Sequence, residues 1–274
     1  MIHVLLAVAL STFTVNDTAY GVQRRVWLYQ PPNATHLVVF VRGATYVDPI
    51  DAPAMLDSLI ADHKIPPTAG VFIDDNDLMP GDIGNRAKFD QFIAKDLMPW
   101  VKTKLGRLPD PSHTTISGWS VGGLVASYVA FHHPDLFGNV ISQSGAFWRG
   151  NEGASEPGEW LTQQIRSSAR LPIRFYIDVG GGETKATPNG IIFIEANRHF
   201  RDALKAKGYD VGYIEVPKAL HEPGHWKSAL PAALIFSTIS STGPRPARAS
   251  DASPPPRHSS ESSARRRAPA CAVR

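Results

Sequence analysis

Gly118-Trp119-Ser120-Val121-Gly122-Gly123 places one serine between glycines where two apolar segments meet. Residues 113–117 before it are rich in β-branched side chains and predict a strand, whereas residues 121–132 after it carry apolar side chains at helical spacing. A serine at such a sharp junction has a strained backbone, and small neighbours let the strand and the helix approach closely. The pattern is typical of a nucleophile elbow and predicts Ser120 as the attacking group.

Strand and helix patterns alternate between residues 36 and 239. This alternation predicts an α/β protein with the α/β-hydrolase fold, in which a mostly parallel central sheet carries helices on both faces and ligands bind at the carboxyl ends of the strands. Residues 1–240 suit one such domain, and Pro99 is expected to bend its helix. The predicted strands are 36–41, 70–74, 112–117, 138–142, 171–177 and 211–216, and the predicted helices are 52–63, 87–105, 121–132, 158–168, 189–207 and 226–239.

A carboxylate is expected after the serine in this fold, because a serine hydroxyl is a weak nucleophile that needs a base and an acid to orient that base. The predicted strand 171–177 runs into Asp178-Val179-Gly180-Gly181-Gly182-Glu183. We predict Glu183 as the acid because it lies on the glycine loop. Asp178, at the end of the strand itself, stays an alternative.

A histidine follows the last predicted strand, at the place where the general base of this fold belongs. We predict His221 as that base and keep His225 as the alternative. The segment His221-Glu222-Pro223-Gly224-His225 also matches the zinc-protease pattern H-E-x-x-H. That pattern needs an uninterrupted helix, which Pro223 and Gly224 disfavour. We therefore predict neither a metal nor an organic cofactor.

The oxyanion formed during attack needs two preorganised N–H donors. The amide of the residue after the nucleophile, Val121, is the first. The apolar strand 36–41 is followed by the loop Arg42-Gly43-Ala44-Thr45. We assign the second donor to the amide of Ala44, with Gly43 supplying backbone freedom.

The positive charge of the chain is confined to its carboxyl-terminal segment. The formal net charge is +3, but residues 241–274 hold seven arginines and only two acidic residues, so the body is slightly acidic. The segment is rich in Ser, Pro and Arg and poor in large apolar residues, which predicts a disordered tail. We therefore predict no nucleic-acid partner. The single cysteine, Cys271, lies in the tail and allows no intramolecular disulfide.

The amino-terminal run Ile2–Leu10 is apolar but has no preceding Lys or Arg and no clear cleavage site. We interpret it as an edge strand feeding Thr12-Phe13-Thr14-Val15, with a signal segment as the alternative. It is too short to span a bilayer, so no membrane partner is predicted. A cytoplasmic location is expected on the strand interpretation, and a periplasmic or secreted one on the other. The oligomeric state is left open.

Several motifs are more specific than the fold requires. On them the chain resembles, from about residue 20 to about residue 238, the esterase D-like group of α/β-hydrolases and within it the catalytic part of enterochelin (ferric enterobactin) esterases. The motifs are Arg24-Arg-Val-Trp-Leu-Tyr29 with Pro31-Pro32, Leu37-Val-Val-Phe-Val-Arg-Gly43, Ile65-Pro-Pro67, Val71-Phe-Ile-Asp74, Asp96-Leu-Met-Pro-Trp-Val101, the elbow itself, Phe137-Gly-Asn-Val-Ile-Ser-Gln-Ser-Gly145, Phe147-Trp148 and Asn197-Arg198.

The resemblance implies a serine esterase that works through an acyl-enzyme on a small-molecule ester. It places the base five positions before a tryptophan, which selects His221 with Trp226, and the acid three positions after the first loop glycine, which selects Glu183. It further implies a siderophore lactone of the enterochelin type as the substrate. A general or feruloyl-type carboxylesterase, an acyltransferase of the same fold and a catalytically silent binding protein are the alternatives.

The chain departs from the family at two positions near the predicted site. Ala219-Leu220-His221-Glu222 stands where the family usually has Gly-Gly-His-Asp. Arg42 stands where an acidic residue is frequent, and we interpret it as a substrate-binding residue for an anionic or catecholate group, with a surface salt bridge as the alternative. Trp119 and Trp148 are candidate walls of the acyl pocket, with a place in the core as the alternative for each.

Overall fold

The computed structural model describes residues 8–74, 86–150 and 158–239. Their strands form one eight-stranded sheet in the order β1-β2-β4-β3-β5-β6-β7-β8. β1 pairs with β2 and β2 with β4 in antiparallel fashion, and the six strands from β3 onward are parallel. The strands are β1 (Leu10–Asp17), β2 (Val22–Tyr29), β3 (His36–Phe40), β4 (Thr68–Ile73), β5 (Thr114–Trp119), β6 (Asn139–Gln143), β7 (Arg174–Gly180) and β8 (Asp210–Val216).

Helices connect the parallel strands, because parallel pairing needs a long crossover between consecutive strands. No helix in the described ranges has both the length and the apolar content needed to cross a bilayer. The helices are α1 (Gly43–Val47), α2 (Ala52–Ala61), α3 (Arg86–Phe92), α4 (Met98–Leu105), α5 (Val121–His132), α6 (Trp160–Ser167), α7 (Phe193–Ala206) and α8 (Pro223–Thr238).

The central strand β3 shows how the sheet is covered on both faces. All five of its residues are buried. Leu37 and Val39 belong to the core that also contains side chains of α3 to α7, while Val38 and Phe40 belong to the core that contains side chains of α1, α2 and α8. Alternate side chains of a strand point to opposite faces. A continuous apolar strand therefore needs helices on both sides, and the predicted fold class is confirmed.

The predicted helix 87–105 is divided by one π-helical turn, Ile93–Leu97, which separates α3 from α4. The N–H of Met98 bonds to the carbonyl of Ile93, five residues back. Pro99 follows directly and has no N–H to donate. A widened turn next to a proline is one of the recognised causes of an irregular helix.

Other boundaries differ from the sequence prediction in ways that affect the site. The predicted strand 171–177 lies at Arg174–Gly180, so Asp178 is inside β7. The last helix begins at Pro223, three residues earlier than predicted. β2 was not predicted as a strand. At the amino terminus β1 is an edge strand that contains the predicted residues 12–15. Residues 2–7 of that prediction, and the tail 241–274, lie outside the described residues.

Candidate active site

Ser120 occupies a sharp turn between β5 and α5. Its backbone has φ 55° and ψ −122°, a conformation that is costly for a residue with a side chain. Its N–H bonds to the carbonyl of Gln143 on the neighbouring strand at 2.9 Å. A Cβ on Gly118 would lie 2.3 Å from the backbone carbonyl of Gly122, so the elbow closes only with glycine at that position. Ser120 is half-buried and lies at the carboxyl end of the central strand β5.

Glu183 and His221 meet at the same edge of the sheet. His221 Nδ1 lies 2.6 Å from Glu183 Oε2. The imidazole is 36 % exposed, whereas the carboxylate is almost fully buried. A carboxylate at Nδ1 holds the proton on that nitrogen, which leaves Nε2 with a free lone pair.

The second oxygen of Glu183 is fixed by two further donors. Oε1 accepts hydrogen bonds from Ser144 Oγ at 2.5 Å and from the amide of Gly180 at 2.8 Å. Burial alone would raise the pKa of Glu183, but the hydrogen bonds from His221 and Ser144, followed by the charge of His221 and the Gly180 amide, outweigh it and lower that pKa. The carboxylate is therefore held ionised.

The imidazole of His221 is surrounded by aromatic rings. It lies edge-on to Trp226 and to Phe193, with ring centroids 5.1 and 5.0 Å away, and its centroid is 6.5 Å from that of Trp119, the residue before Ser120. Within the described ranges Ser120 Oγ makes no hydrogen bond to His221. Hydrogen bonds between nucleophile and base are often long without a substrate.

The alternative residues Asp178 and His225 also lie together, but deeper in the protein. His225 Nε2 is 3.2 Å from Asp178 Oδ1, and both side chains are 0 % exposed. The two groups are charge partners without the alignment of a good hydrogen bond. Neither side chain reaches the surface where a substrate would bind, whereas His221 does.

The H-E-x-x-H segment does not form the helix that a zinc protease needs. α8 begins at Pro223, and Glu222 before it is extended, with φ −150° and ψ 155°. His221 therefore precedes the helix that carries His225. The nearest carboxylate also differs between the two imidazoles, since it is Glu183 for His221 and Asp178 for His225.

The two predicted oxyanion donors belong to first turns of helices, where N–H groups have no partner inside the helix. Val121 is the first residue of α5, and Ala44 is the second of α1. Gly43 acts differently from the prediction. A Cβ there would lie 2.4 Å from the backbone nitrogen of Ile73, so Gly43 permits close packing on β4. The left-handed conformation, φ 62°, falls on Arg42.

Arg42 lies above the aromatic surface next to the elbow. Its guanidinium carbon is 3.9 Å from the centroid of the Trp119 ring, and Trp119 in turn stacks on Trp226 at 4.2 Å. Arg42 Nε is buried without a hydrogen-bond partner. Among the described residues no carboxylate pairs with it, so the salt-bridge alternative has no support there. Arg42 is a cation with unused donors beside the serine.

Trp148 has a different environment from Trp119. Its ring lies under the guanidinium of Arg149 at 4.7 Å and packs at the margin of the larger core. Its carbonyl accepts a hydrogen bond from Asn189 at 2.7 Å. In the described part of the chain its ring has no contact with His221 or Trp119, so its role as a pocket wall stays a prediction.

Two residues of the site were missed from the sequence. Ser144 directly follows β6, in the stretch Ser142-Gln143-Ser144-Gly145, and its φ of 46° is unusual for a non-glycine residue. Its hydroxyl connects Glu183 to the indole N–H of Trp226, which donates to Oγ at 3.1 Å. Phe193, at the start of α7, packs on the ring of His221. A serine after a strand that ends near the elbow was the available signal for Ser144.

An elbow on a mostly parallel eight-stranded sheet, covered by helices on both faces, defines an α/β-hydrolase-fold protein. Residues 18–237 match the family model described as "Putative esterase". The match covers most of the chain, and the chain belongs to this esterase family. The resemblance deduced from the motifs is confirmed.

Relatives within and around this family were found by sequence and by fold. The chain is 29 % identical over 224 residues to an iron(III) enterobactin esterase of Dickeya dadantii, covering 76 % of this chain and 50 % of that protein. The crystal structure of an enterobactin esterase from Shigella flexneri has the same fold, with a TM-score of 0.72, 24 % identity, and coverage of 84 % of this chain and 59 % of that one. A CE1 ferulic acid esterase from Anaeromyces mucronatus gives a TM-score of 0.67 at 17 % identity, covering 87 % and 92 %. The chain spans about half the length of the curated relatives it matches.

Proposed function

We propose that this protein is a serine carboxylic-ester hydrolase in which Ser120 is the nucleophile, His221 the general base and Glu183 the acid. The observation that carries the proposal is the 2.6 Å contact between Glu183 Oε2 and His221 Nδ1, which leaves Nε2 of this partly exposed ring free to accept the serine proton. Membership of the esterase family supports it. Asp178 and His225 are too deeply buried to meet a substrate.

The chemistry follows from these roles. His221 Nε2 accepts the proton of Ser120 as Oγ attacks the ester carbonyl, and the amides of Val121 and Ala44 stabilise the resulting anion. The same proton passes to the departing alcohol as the carbonyl re-forms, which leaves an acyl-enzyme. Water then attacks with His221 again acting as base, and Ser120 is regenerated with release of the acid.

We further propose that the acyl group is an aromatic or anionic one, of the kind found in catecholate siderophore lactones. The support is the guanidinium of Arg42, which has donors to offer and lies on Trp119 beside the nucleophile. An aromatic acyl group can stack on such a surface, and its oxygens can accept from the arginine. The relative from Dickeya dadantii, which is named for iron(III) enterobactin, supports the same substrate class.

A fluorophosphonate probe and a substrate panel test the two levels of this proposal separately. The probe reacts only with an activated serine, so labelling of the wild-type protein and loss of labelling in Ser120→Ala are expected. The panel contains a short-chain nitrophenyl ester, a feruloyl ester and a catecholate trilactone. Hydrolysis of the nitrophenyl ester with no turnover of the trilactone would support the esterase activity and exclude the siderophore substrate.

A further inference from the structure

A second histidine–carboxylate pair lies behind the proposed catalytic acid. His225 is in the first turn of α8 and Asp178 is on β7, and the two side chains are completely excluded from solvent. His225 contacts both buried acids, because its Nε2 is 3.2 Å from Asp178 Oδ1 and its Nδ1 is 3.9 Å from Glu183 Oε1. The mechanism proposed above does not use this pair.

The neighbours of His225 determine its protonation state. Each ring nitrogen has a carboxylate oxygen as its nearest charged group. A neutral imidazole has one N–H and one lone pair, so one of its nitrogens would present a lone pair to an oxygen that also carries lone pairs. With a proton on both nitrogens, the positive charge of the ring lies between two carboxylate oxygens, at 3.2 and 3.9 Å. The geometry therefore favours the imidazolium.

The charge balance of the cluster points the same way. Two carboxylates buried side by side repel each other, and a cation between them stabilises the ionised form of both. Burial raises the pKa of Asp178, and contact with His225 opposes that rise. Burial would lower the pKa of His225, but Asp178 and Glu183 outweigh it and the net direction is upward.

Among the described residues, the other titratable groups that interact with Asp178 are Tyr46 from α1 and Tyr176 from β7. Burial raises the pKa of each phenol well above neutral, to about 12 for Tyr176, so both stay uncharged. The charges left in the cluster are two carboxylates and one imidazolium. They sum to a single negative charge that faces His221.

We propose that His225 is a buried imidazolium paired with Asp178, and that this pair leaves Glu183 as the one uncompensated negative charge beside His221. His225 and Asp178 are then positioning residues that act through Glu183. The inference rests on the proposed function, because it takes His221 as the base and Glu183 as its acid.

The test compares His225→Gln, Asp178→Asn and the double variant, with His36→Gln as the control. His36 is a buried histidine at the start of β3, away from the site. The readout is the acid limb of the kcat/KM profile for a nitrophenyl ester, which reports the loss of a neutral base. His225→Gln adds net negative charge and should move that limb to higher pH by roughly one unit. Asp178→Asn changes the net charge of the cluster from −1 to zero and should move the limb to lower pH. The double variant restores the original charge and should restore the wild-type limb.

Stability gives a second measurement, because either single change leaves a buried charge without a partner. Each single variant should lose roughly 10 °C in melting temperature, and the double variant should melt above both. If the single variants do not fold, the acid limb of the double variant still decides. Nitrogen NMR of ¹⁵N-histidine protein should also show both ring nitrogens of His225 protonated at neutral pH.

Some outcomes would overturn the inference. The inference is wrong if both single variants keep the acid limb of the wild type, or if the folded double variant has a shifted limb. It is also wrong if the imidazole of His225 is neutral at neutral pH. A double variant that folds but has no activity would make the pair itself the acid–base machinery. Failure of the proposed function is distinguishable, because the wild-type protein would then not react with the fluorophosphonate at Ser120.

Discussion

His221 turns Nδ1 toward Glu183 Oε2 at 2.6 Å, so the nitrogen left for the serine is Nε2. A carboxylate in this position favours one tautomer of the ring and stabilises the imidazolium that forms during attack. The Glu183 carboxylate is itself held in position by hydrogen bonds from Ser144 and the Gly180 amide.

Replacing Ser120 by alanine should remove the nucleophile without disturbing the fold. We expect turnover of a nitrophenyl ester to fall on the order of 10³-fold or more, because residual catalysis then comes from binding and the oxyanion donors alone. Thermal unfolding followed by circular dichroism should stay close to wild type. Turnover that survives the change would show that another residue attacks the ester.

Replacing Glu183 by glutamine keeps the size of the side chain and removes its charge. We expect kcat to fall by roughly 10³ to 10⁴-fold, because the imidazole loses both its tautomer preference and its counter-charge. Glu222→Gln is the matched control, since Glu222 is an exposed acid one residue after the base, and it should keep wild-type kcat. A zinc protease would show the reverse dependence and would also lose activity to a chelator.

Arg42→Gln should separate binding from chemistry. A charge-assisted hydrogen bond contributes about 1.5–3 kcal/mol, so KM for an ester with an anionic acyl group should rise roughly 10-fold or more. A neutral nitrophenyl ester should be little affected. Arg42→Lys keeps the charge but loses the flat surface that lies on Trp119, and it should recover part of the loss. Equal effects on both esters would argue for a structural role of Arg42 in its loop.

Gly118→Ala tests the packing of the elbow. The added Cβ would lie 2.3 Å from the backbone of Gly122, and forced overpacking of this kind costs about 1–3 kcal/mol or more. Gly224→Ala is the control, because a Cβ at that helical position meets nothing within 4 Å and alanine favours a helix by up to about 1 kcal/mol. Melting temperatures should move in opposite directions. A stable Gly118→Ala protein would mean that the elbow can open.

Deleting residues 241–274 should leave ester hydrolysis intact. The match to the esterase family ends at residue 237, and the last described helix, α8, ends at Thr238. The deletion also removes the only cysteine and a net charge of +5, which leaves the remaining chain at −2. Equal kcat/KM for the full and shortened chains is the expected measurement. Loss of turnover with the fold retained would give the tail a role at the site.

Local sequence predicted correctly those parts of the site whose conformation depends on residues close to them in the chain. The helix after Ser120 was predicted as 121–132 and is observed as Val121–His132. The small residues of the elbow and the apolar spacing after it determine where this helix begins and ends. The prediction placed β7 three residues too early, because Leu171 and Ile173 extend the apolar pattern of the strand. In the structure the N–H of Leu171 donates to the hydroxyl of Tyr209 and not to a neighbouring strand.

The parts that could not be predicted depend on contacts distant in the chain. Asp178 resembled the polar end of a strand, but it is a buried residue whose partner, His225, comes from the last helix. Ser144 reaches Glu183, 39 residues away, and its position after a strand near the elbow does not by itself identify that partner. Choosing Glu183 and His221 over their alternatives needed the family resemblance, because spacing alone left each choice open.

The stack of Trp119 on Trp226, with His221 edge-on beside it, gives the protein an optical signal of its own. Two indoles this close couple their electronic transitions, and a protonated imidazole next to an indole quenches its emission. Tryptophan fluorescence and near-ultraviolet dichroism can therefore follow the ionisation of the base in the resting protein, without any ester present.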